Sequence, residues 1–145
     1  MNTRGIRGAI TVEEDREEAI LAATGELLEA ILQANPTLRL EDIASAIFTL
    51  SPDLCSAYPA RAARRMGWVE VPLMCAREIP VPDGLQRCIR VLVHWNTNLP
   101  QSQVRHVYLG GAAALRPDLA GSNQVPHAGL KNKPGQITEA SGGNL

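Results

Sequence analysis

The sequence is poor in lysine, and this shortage narrows the chemistry that the chain can perform. Lysine occurs only at Lys131 and Lys133, so all twelve other basic residues are arginines. The chain before position 131 therefore cannot form a Schiff base or supply the lysine of a phosphate-binding P-loop. Arginine keeps its charge and can hold a carboxylate through two hydrogen bonds. We conclude that any polar site in this chain is built to bind an anion.

Cysteine, histidine and long apolar runs are also scarce. The three cysteines, Cys55, Cys75 and Cys88, are odd in number and lack a CxxC spacing, which favours free thiols in a reducing compartment. The three histidines are scattered, without the spacing of metal ligands. The N-terminus has no apolar signal-peptide core, and no apolar run approaches the roughly 18 residues that span a bilayer. We therefore expect a cytoplasmic protein with no metal, no cofactor and no membrane partner.

Charge and aromatic content argue against nucleic acid as the partner. The net charge is −1, and the chain contains one Phe, two Tyr and two Trp, too few for a stacking platform. The length of 145 residues fits one folded domain, which we place at residues 1–119. From residue 120 onward the composition shifts to Gly, Asn, Ser, Pro and Lys. Such a segment cannot offset its ordering entropy, so we expect a flexible C-terminal tail at 120–145.

Hydrophobic periodicity predicts two helices and five strands. The first helix is expected over 13–34, with Thr11 as its N-cap and an acidic first turn. A shorter helix is expected to open at Tyr58 and run through Arg65, and 40–43 is predicted to form a turn. The strands are expected at 4–12, 44–50, 69–78, 85–93 and 104–109.

The fourth predicted strand organises the rest of the chain. Its side chains alternate across the sheet, so Ile89, Val91 and Val93 share one face, whereas Arg90 lies on the other. An arginine is costly to bury unless an anion meets it. Arg90 is therefore either paired within the structure or placed to bind a ligand.

Other charged residues leave the same two interpretations open. Arg7 lies among small residues of the first strand, which leave room above the sheet, or it is a surface arginine on an edge strand. Arg61 and Arg64 share a helix face, which is either solvated or directed towards an anionic site. Strict alternation places Cys75 and Glu78 on opposite faces, so both can serve one site only if their strand bulges or ends between them.

Several motifs occur in order along the chain: RGIRGAITV, SPDL, YPARAAR, GW…VPLMC with Glu78, CIRV, and RHVYL…LRPDL. Over about residues 3–119 the sequence resembles the AroH-type monofunctional bacterial chorismate mutases. The resemblance implies an α+β fold with a mixed β-sheet and helices on one face. It also implies a homotrimer that forms a pseudo α/β-barrel, with active sites in the clefts between subunits.

The resemblance also implies roles for individual residues. Arg90 would face the breaking ether oxygen and hold a carboxylate, and Glu78 would be the second catalytic residue. Glu78 and the Cys75 thiol would bond the ring hydroxyl, whereas Arg7 and Tyr108 would bind carboxylates. The other positions implied to contact substrate are Tyr58, Arg64, Leu73, Met74, Ala76, Arg77, Leu115 and, on a C-terminal arm, Arg116. Tyr58 stands where phenylalanine is usual, and Met74 where threonine is common.

The chemistry implied by the resemblance agrees with the composition. Chorismate is a dicarboxylate, which suits many arginines and no lysine. Its Claisen rearrangement to prephenate, a step of phenylalanine and tyrosine biosynthesis, is unimolecular and needs no nucleophile or cofactor. The protein has to select the reactive conformer and stabilise developing charge. One alternative is a non-catalytic trimeric small-molecule-binding protein of similar fold, and another is a nucleic-acid module that uses Arg61, Arg64 and Arg65.

Overall fold

A computed structural model describes residues 1–115 of the chain. Its helices and strands, in chain order, are β1 (Asn2–Thr11), α1 (Glu17–Ala34), β2 (Ile43–Leu50), α2 (Ala60–Arg65), β3 (Leu73–Arg77), β4 (Cys88–Thr97) and β5 (Val107–Leu109). Short 3₁₀ turns lie at Leu40–Asp42, Gln101–Gln103 and Gly110–Ala114. Neither helix in residues 1–115 has both the length and the apolar character required to cross a bilayer. Arg116 and the predicted tail at 120–145 lie outside the described residues.

The five strands form one mixed sheet in the order β3-β2-β4-β1-β5. β4 is central and runs antiparallel to both β1 and β2, whereas the β1–β5 and β2–β3 pairs are parallel. In this register Arg90 lies between Ala9 of β1 and Thr49 of β2. The prediction of an α+β fold with a mixed sheet is confirmed, and the strand that carries Arg90 is at the centre of that sheet.

The main hydrophobic core lies between the sheet and the two helices. Ile89, Val91 and Val93 of β4 are all buried in it, as their alternation predicted. Gly8 lets α1 approach β1 closely, because a Cβ at this position would lie 2.8 Å from Ile31 Cδ1 and 3.2 Å from Leu27 Cδ1. Helix and sheet are thus in direct contact, and the opposite face of the sheet is left for other uses.

That opposite face, which we call the open face, bears Arg90 and a row of apolar side chains. The register aligns Leu92 of β4 with Ile47 of β2 and Ile47 with Met74 of β3. Leu92 remains 37% exposed and Met74 58% exposed. An apolar row left open to solvent commonly marks an interaction surface.

The start of α1 differs from the prediction. The helix begins at Glu17, and the prediction of Thr11 as its N-cap is wrong. The Thr11 hydroxyl instead accepts a hydrogen bond from the N–H of Gly111 at 2.8 Å. The Asp15 carboxylate accepts hydrogen bonds from the N–H groups of Cys55 and Ser56, both at 3.0 Å. Both capping-type side chains thus bind distant segments, which local sequence patterns cannot show.

Three strands also begin later than predicted, each for a local reason. β3 starts only at Leu73, after Pro72, whose carbonyl accepts the N–H of Ala46. β4 starts at Cys88, because Arg87 has a positive φ of 48° that interrupts the extended chain, and continues to Thr97. Before β5, Nδ1 of His106 accepts a hydrogen bond from the N–H of Arg7 at 2.9 Å. A side chain thus takes the place that a backbone carbonyl would have in a strand pair.

Candidate active site

Arg90 is the centre of the candidate site. Its side chain is 22% exposed, and the nearest carboxylate oxygen, Oε2 of Glu78, lies 3.5 Å from its Nε. Nε is itself buried and makes no hydrogen bond to any of residues 1–115. A buried guanidinium atom without a hydrogen-bond partner is costly, which favours the ligand-binding interpretation of this arginine.

Glu78 reaches the open face because β3 ends immediately before it. The N–H of Glu78 donates to the carbonyl of Leu50 at 2.9 Å, which ties the residue to the end of β2. The Thr49 hydroxyl donates to Oε2 of Glu78. The carboxylate is thus held beside Arg90 by a neighbouring strand.

The strand end between Cys75 and Glu78 separates these two residues. The register pairs Cys75 with Phe48, which is fully buried, and the Cys75 side chain packs against the main core. Its thiol therefore lies on the helix side of β3, away from Arg90. Met74 and Ala76, by the same register, lie on the open face beside Ile47 and Thr49.

Arg7 and Tyr108 lie on the open face on the other side of Arg90. β1 is flanked by β4 and β5, so Arg7 is not on an edge strand. Its Nη1 is buried and has no hydrogen-bond partner within residues 1–115. Tyr108 pairs with Ala9 and is 4% exposed. The sheet thus brings two incompletely satisfied arginines and a buried tyrosine to one face.

A cleft of about 650 Å³ opens beside Arg90. Of the predicted site residues, Glu78, Arg90 and Leu115 line it. The other walls come from the turn after β2 and from the segment before β4: Ser51, Pro52, Asp53, residues 79–86 and Cys88. Leu115 and Leu85 pack on a small buried cluster that contains Ala9, Cys88, Tyr108 and Ala112. The cleft therefore combines one cation, Arg90, with three acidic residues, of which Glu78 lies beside that cation, and apolar walls.

A hydrogen-bond network fixes the start of β4 just before Arg90. The Ser51 hydroxyl accepts the N–H of Cys88 at 2.9 Å and donates to the Asp53 carboxylate at 2.6 Å. Both oxygens of Asp53 accept the N–H of Arg87 at 3.0 Å. Sequence patterns did not predict this role for Ser51 and Asp53, which appeared only within the SPDL motif. The only available signal was the preference of Ser and Asp for bonding nearby backbone groups.

Cys88 is a buried neighbour of Arg90. Desolvation raises the pKa of its thiol to about 11, although the positive charge of Arg90 acts in the opposite direction. The thiol is therefore neutral at physiological pH and behaves as a small apolar group on the floor of the site.

Asp53 is expected to make stability depend on pH. Its partial burial raises its pKa, but the hydrogen bonds from Ser51 and from the N–H of Arg87 outweigh this and lower the pKa below its usual value. A carboxyl whose pKa is lower in the folded state stabilises the protein at pH values above the unfolded-state pKa, which is near 4. This stabilisation is lost as the pH falls below that pKa. We expect Asp53→Asn to flatten the fall in unfolding free energy between about pH 5 and pH 3. Urea titrations at several pH values would measure this. An equal dependence of the unfolding free energy on pH in the two proteins would contradict it.

Several predicted site residues lie away from this cleft in the single chain. Tyr58 is 70% exposed just before α2, and Arg64 is exposed on that helix. Leu73 packs against the main core. Arg77 is the clearest departure, because its Nη1 donates to the carbonyls of Ser51, Pro52 and Leu54 at 3.1, 3.3 and 2.7 Å. Its guanidinium thus anchors the turn after β2, and substrate binding by Arg77 stays a prediction.

Arg61 and Arg64 share α2 but have different surroundings. Arg61 pairs with Glu17 at 2.5 Å, and both side chains are more than 40% exposed. Exposed ion pairs of this kind contribute little to stability. For Arg61, the interpretation as part of a solvated helix face is therefore the better one.

Comparison with known proteins identifies the family. The family model "Chorismate mutase type I" matches residues 3–119. Chorismate mutase AroH of Thermus thermophilus is 60% identical over 116 residues, which cover 80% of this chain and 95% of that protein. Chorismate mutase AroH of Bacillus subtilis is 48% identical over 121 residues, covering 83% and 94%. The solved structure of a Clostridium thermocellum chorismate mutase superposes with a TM-score of 0.74 at 47% identity, covering 77% of this chain and 98% of that one. The chain therefore belongs to the type I chorismate mutase family and is a chorismate mutase.

Proposed function

We propose that this chorismate mutase acts by selecting the reactive conformer of chorismate and by placing the charge of Arg90 beside the breaking ether bond. The observation that carries the proposal is the buried Nε of Arg90, which faces the cleft side of the sheet without a hydrogen-bond partner in residues 1–115. A preorganised cation of this kind stabilises negative charge that develops in the transition state. It needs no reorganisation at the moment of reaction.

The remaining groups of the site suit a dicarboxylate with a ring hydroxyl. Arg7 and Tyr108, on the same face as Arg90, are proposed to hold the carboxylates, with Arg7 offering its unpartnered Nη1. Glu78 uses Oε2 towards Thr49 and Arg90, which leaves its other oxygen for the hydroxyl. A millionfold acceleration requires about 8 kcal/mol, within reach of conformer restriction together with one fixed charge.

We further propose that the active protein is a homotrimer whose sites are completed across subunit interfaces. The row formed by Leu92, Ile47 and Met74 supports this, because it leaves apolar surface exposed in one chain. The exposed predicted site residues that lie away from the cleft would reach it from a neighbouring copy: Tyr58, Arg64, Met74 and Ala76. Leu73 and Cys75 pack against the main core of their own chain, and their contact with substrate stays a prediction.

A cytoplasmic location is proposed on the state of the cysteines. Cys55, Cys75 and Cys88 are all free thiols. Unpaired cysteines suit a reducing compartment better than an oxidising one.

Loss of chorismate absorbance in the ultraviolet, with and without protein, tests the catalytic function against a merely binding role. We expect Arg90→Ala to abolish most of the protein-dependent loss. Arg39→Ala is the matched control, because Arg39 is exposed and pairs with Glu41 away from the cleft. Binding of chorismate without turnover by the unmodified protein would favour the alternative of a non-catalytic binding protein.

Arg116 is expected to contribute to binding more than to chemistry. It follows the 3₁₀ turn Gly110–Ala114 rather than a strand of the sheet, and it lies outside the described residues. Arg116→Ala should therefore raise KM more than it lowers kcat, as for an arm that closes over bound substrate. Steady-state kinetics would test this. An equal loss in kcat and in kcat/KM would instead show that Arg116 stabilises the transition state.

A further inference from the structure

The Thr49 hydroxyl occupies a position between the two charged groups of the site. Thr49 is the register partner of Arg90 and lies on the open face of β2. It donates to Oε2 of Glu78, which is the same oxygen that lies 3.5 Å from Arg90 Nε. One oxygen of Glu78 is therefore shared between a hydroxyl and a guanidinium from two neighbouring strands.

The spacing between Glu78 and Arg90 is unusual for such close neighbours. A carboxylate and a guanidinium that are free to approach form charge-assisted hydrogen bonds of about 2.7–2.9 Å. Here the separation is 3.5 Å, and Arg90 Nε makes no hydrogen bond in the described part of the chain. Because both side chains are mostly buried, solvent competes little for either group, so something else must limit their approach.

We propose that Thr49 is a positioning residue that holds Glu78 at a distance from Arg90. By engaging Oε2, the hydroxyl prevents the carboxylate from closing onto Nε and forming a charge-assisted hydrogen bond. Arg90 thus keeps Nε free as a hydrogen-bond donor for the substrate. This inference rests on the proposed function, since it requires that the charge of Arg90 act on the reaction.

Thr49→Val tests the inference, because valine has nearly the same shape and suits a strand. Without the hydroxyl, Glu78 should close onto Arg90. We expect kcat to fall about tenfold, with KM changing by less than about threefold, as for loss of a contact that acts on the transition state. Thr49→Ser retains the hydroxyl and should restore most of kcat. Thr49→Ala provides a second variant without the hydroxyl if the valine variant does not fold.

A double-mutant cycle shows whether Thr49 acts through the carboxylate. In a Glu78→Ala background there is no carboxylate to hold, so Thr49→Val should cause no further loss of kcat. Ser45→Ala is the matched control. Ser45 lies on the same strand and face, but its hydroxyl pairs with His94 at 2.9 Å rather than with Glu78. This variant should keep normal kinetics.

The outcomes separate this inference from the proposed function. Full activity of Arg90→Ala would overturn the charge role of Arg90 and the Thr49 inference with it. Normal kcat in Thr49→Val, in an enzyme that Arg90→Ala inactivates, would overturn the Thr49 inference alone. Equal losses of activity in Thr49→Val and Thr49→Ser would also overturn it, as would a loss that persisted in the Glu78→Ala background.

Discussion

Replacing Arg90 by citrulline is expected to lower kcat by at least about two orders of magnitude, or roughly 3 kcal/mol of transition-state stabilisation. Citrulline keeps the planar group and most of the hydrogen-bonding capacity of arginine but carries no charge. If the position serves to oppose negative charge on the ether oxygen, shape without charge cannot replace it. The central place of Arg90 in the sheet supports this view, since neighbouring strands on both sides restrict its movement.

Substrate affinity should change far less in the citrulline variant, because Arg7 and Tyr108 would still hold the carboxylates. Arg90→Lys should retain some activity, limited by its shorter reach and by the loss of bidentate geometry. Semisynthetic enzyme and steady-state kinetics would give kcat and KM separately. A citrulline variant with near-normal kcat and a poor KM would show that Arg90 only anchors the substrate.

Leu92→Glu is expected to dissociate the proposed trimer and to abolish most activity. Leu92 lies at one end of the apolar row on the open face, beside Ile47. A carboxylate at this position would have to leave water for the subunit interface when subunits associate, which is costly. If the clefts are completed by residues from a second copy, the monomer should lose more than about a hundredfold in activity, even though its own fold is intact.

Light scattering and circular dichroism would separate assembly from folding in this test. The unmodified protein should have a mass near three chains, and Leu92→Glu a mass near one chain with an unchanged helix signal. Val69→Glu is the matched control, because Val69 is 75% exposed and precedes β3 rather than lying in the apolar row. A fully active monomer would contradict the shared-site proposal.

The predictions that came from local patterns and from the family motifs were largely correct. Alternation along β4 correctly placed Ile89, Val91 and Val93 in the core and Arg90 on the opposite face. Residues two or four positions apart in a strand lie on the same face of the sheet, so the sequence of the strand itself shows which face is apolar. The resemblance over residues 3–119 is likewise confirmed by the family match.

Single-sequence patterns failed where a side chain bonds to a distant segment. The Thr11 hydroxyl resembles a helix cap in the sequence, but it binds Gly111, 100 residues further along the chain. The Asp15 carboxylate stands in the predicted acidic first turn of the helix, but it binds the N–H groups of Cys55 and Ser56. In each case a polar group had several possible partners, and the tertiary fold selected one.

The sequence by itself thus determined the family, the chemistry and the strand that carries Arg90. Only the tertiary structure decided how that arginine is kept available. Thr49 and Glu78 are 29 residues apart in sequence, and they meet Arg90 only because β2 pairs with β4 in one particular register. A shift of one residue would turn Thr49 to the opposite face of the sheet. Register is set by the packing of whole strands against the core, and single-strand patterns do not contain it.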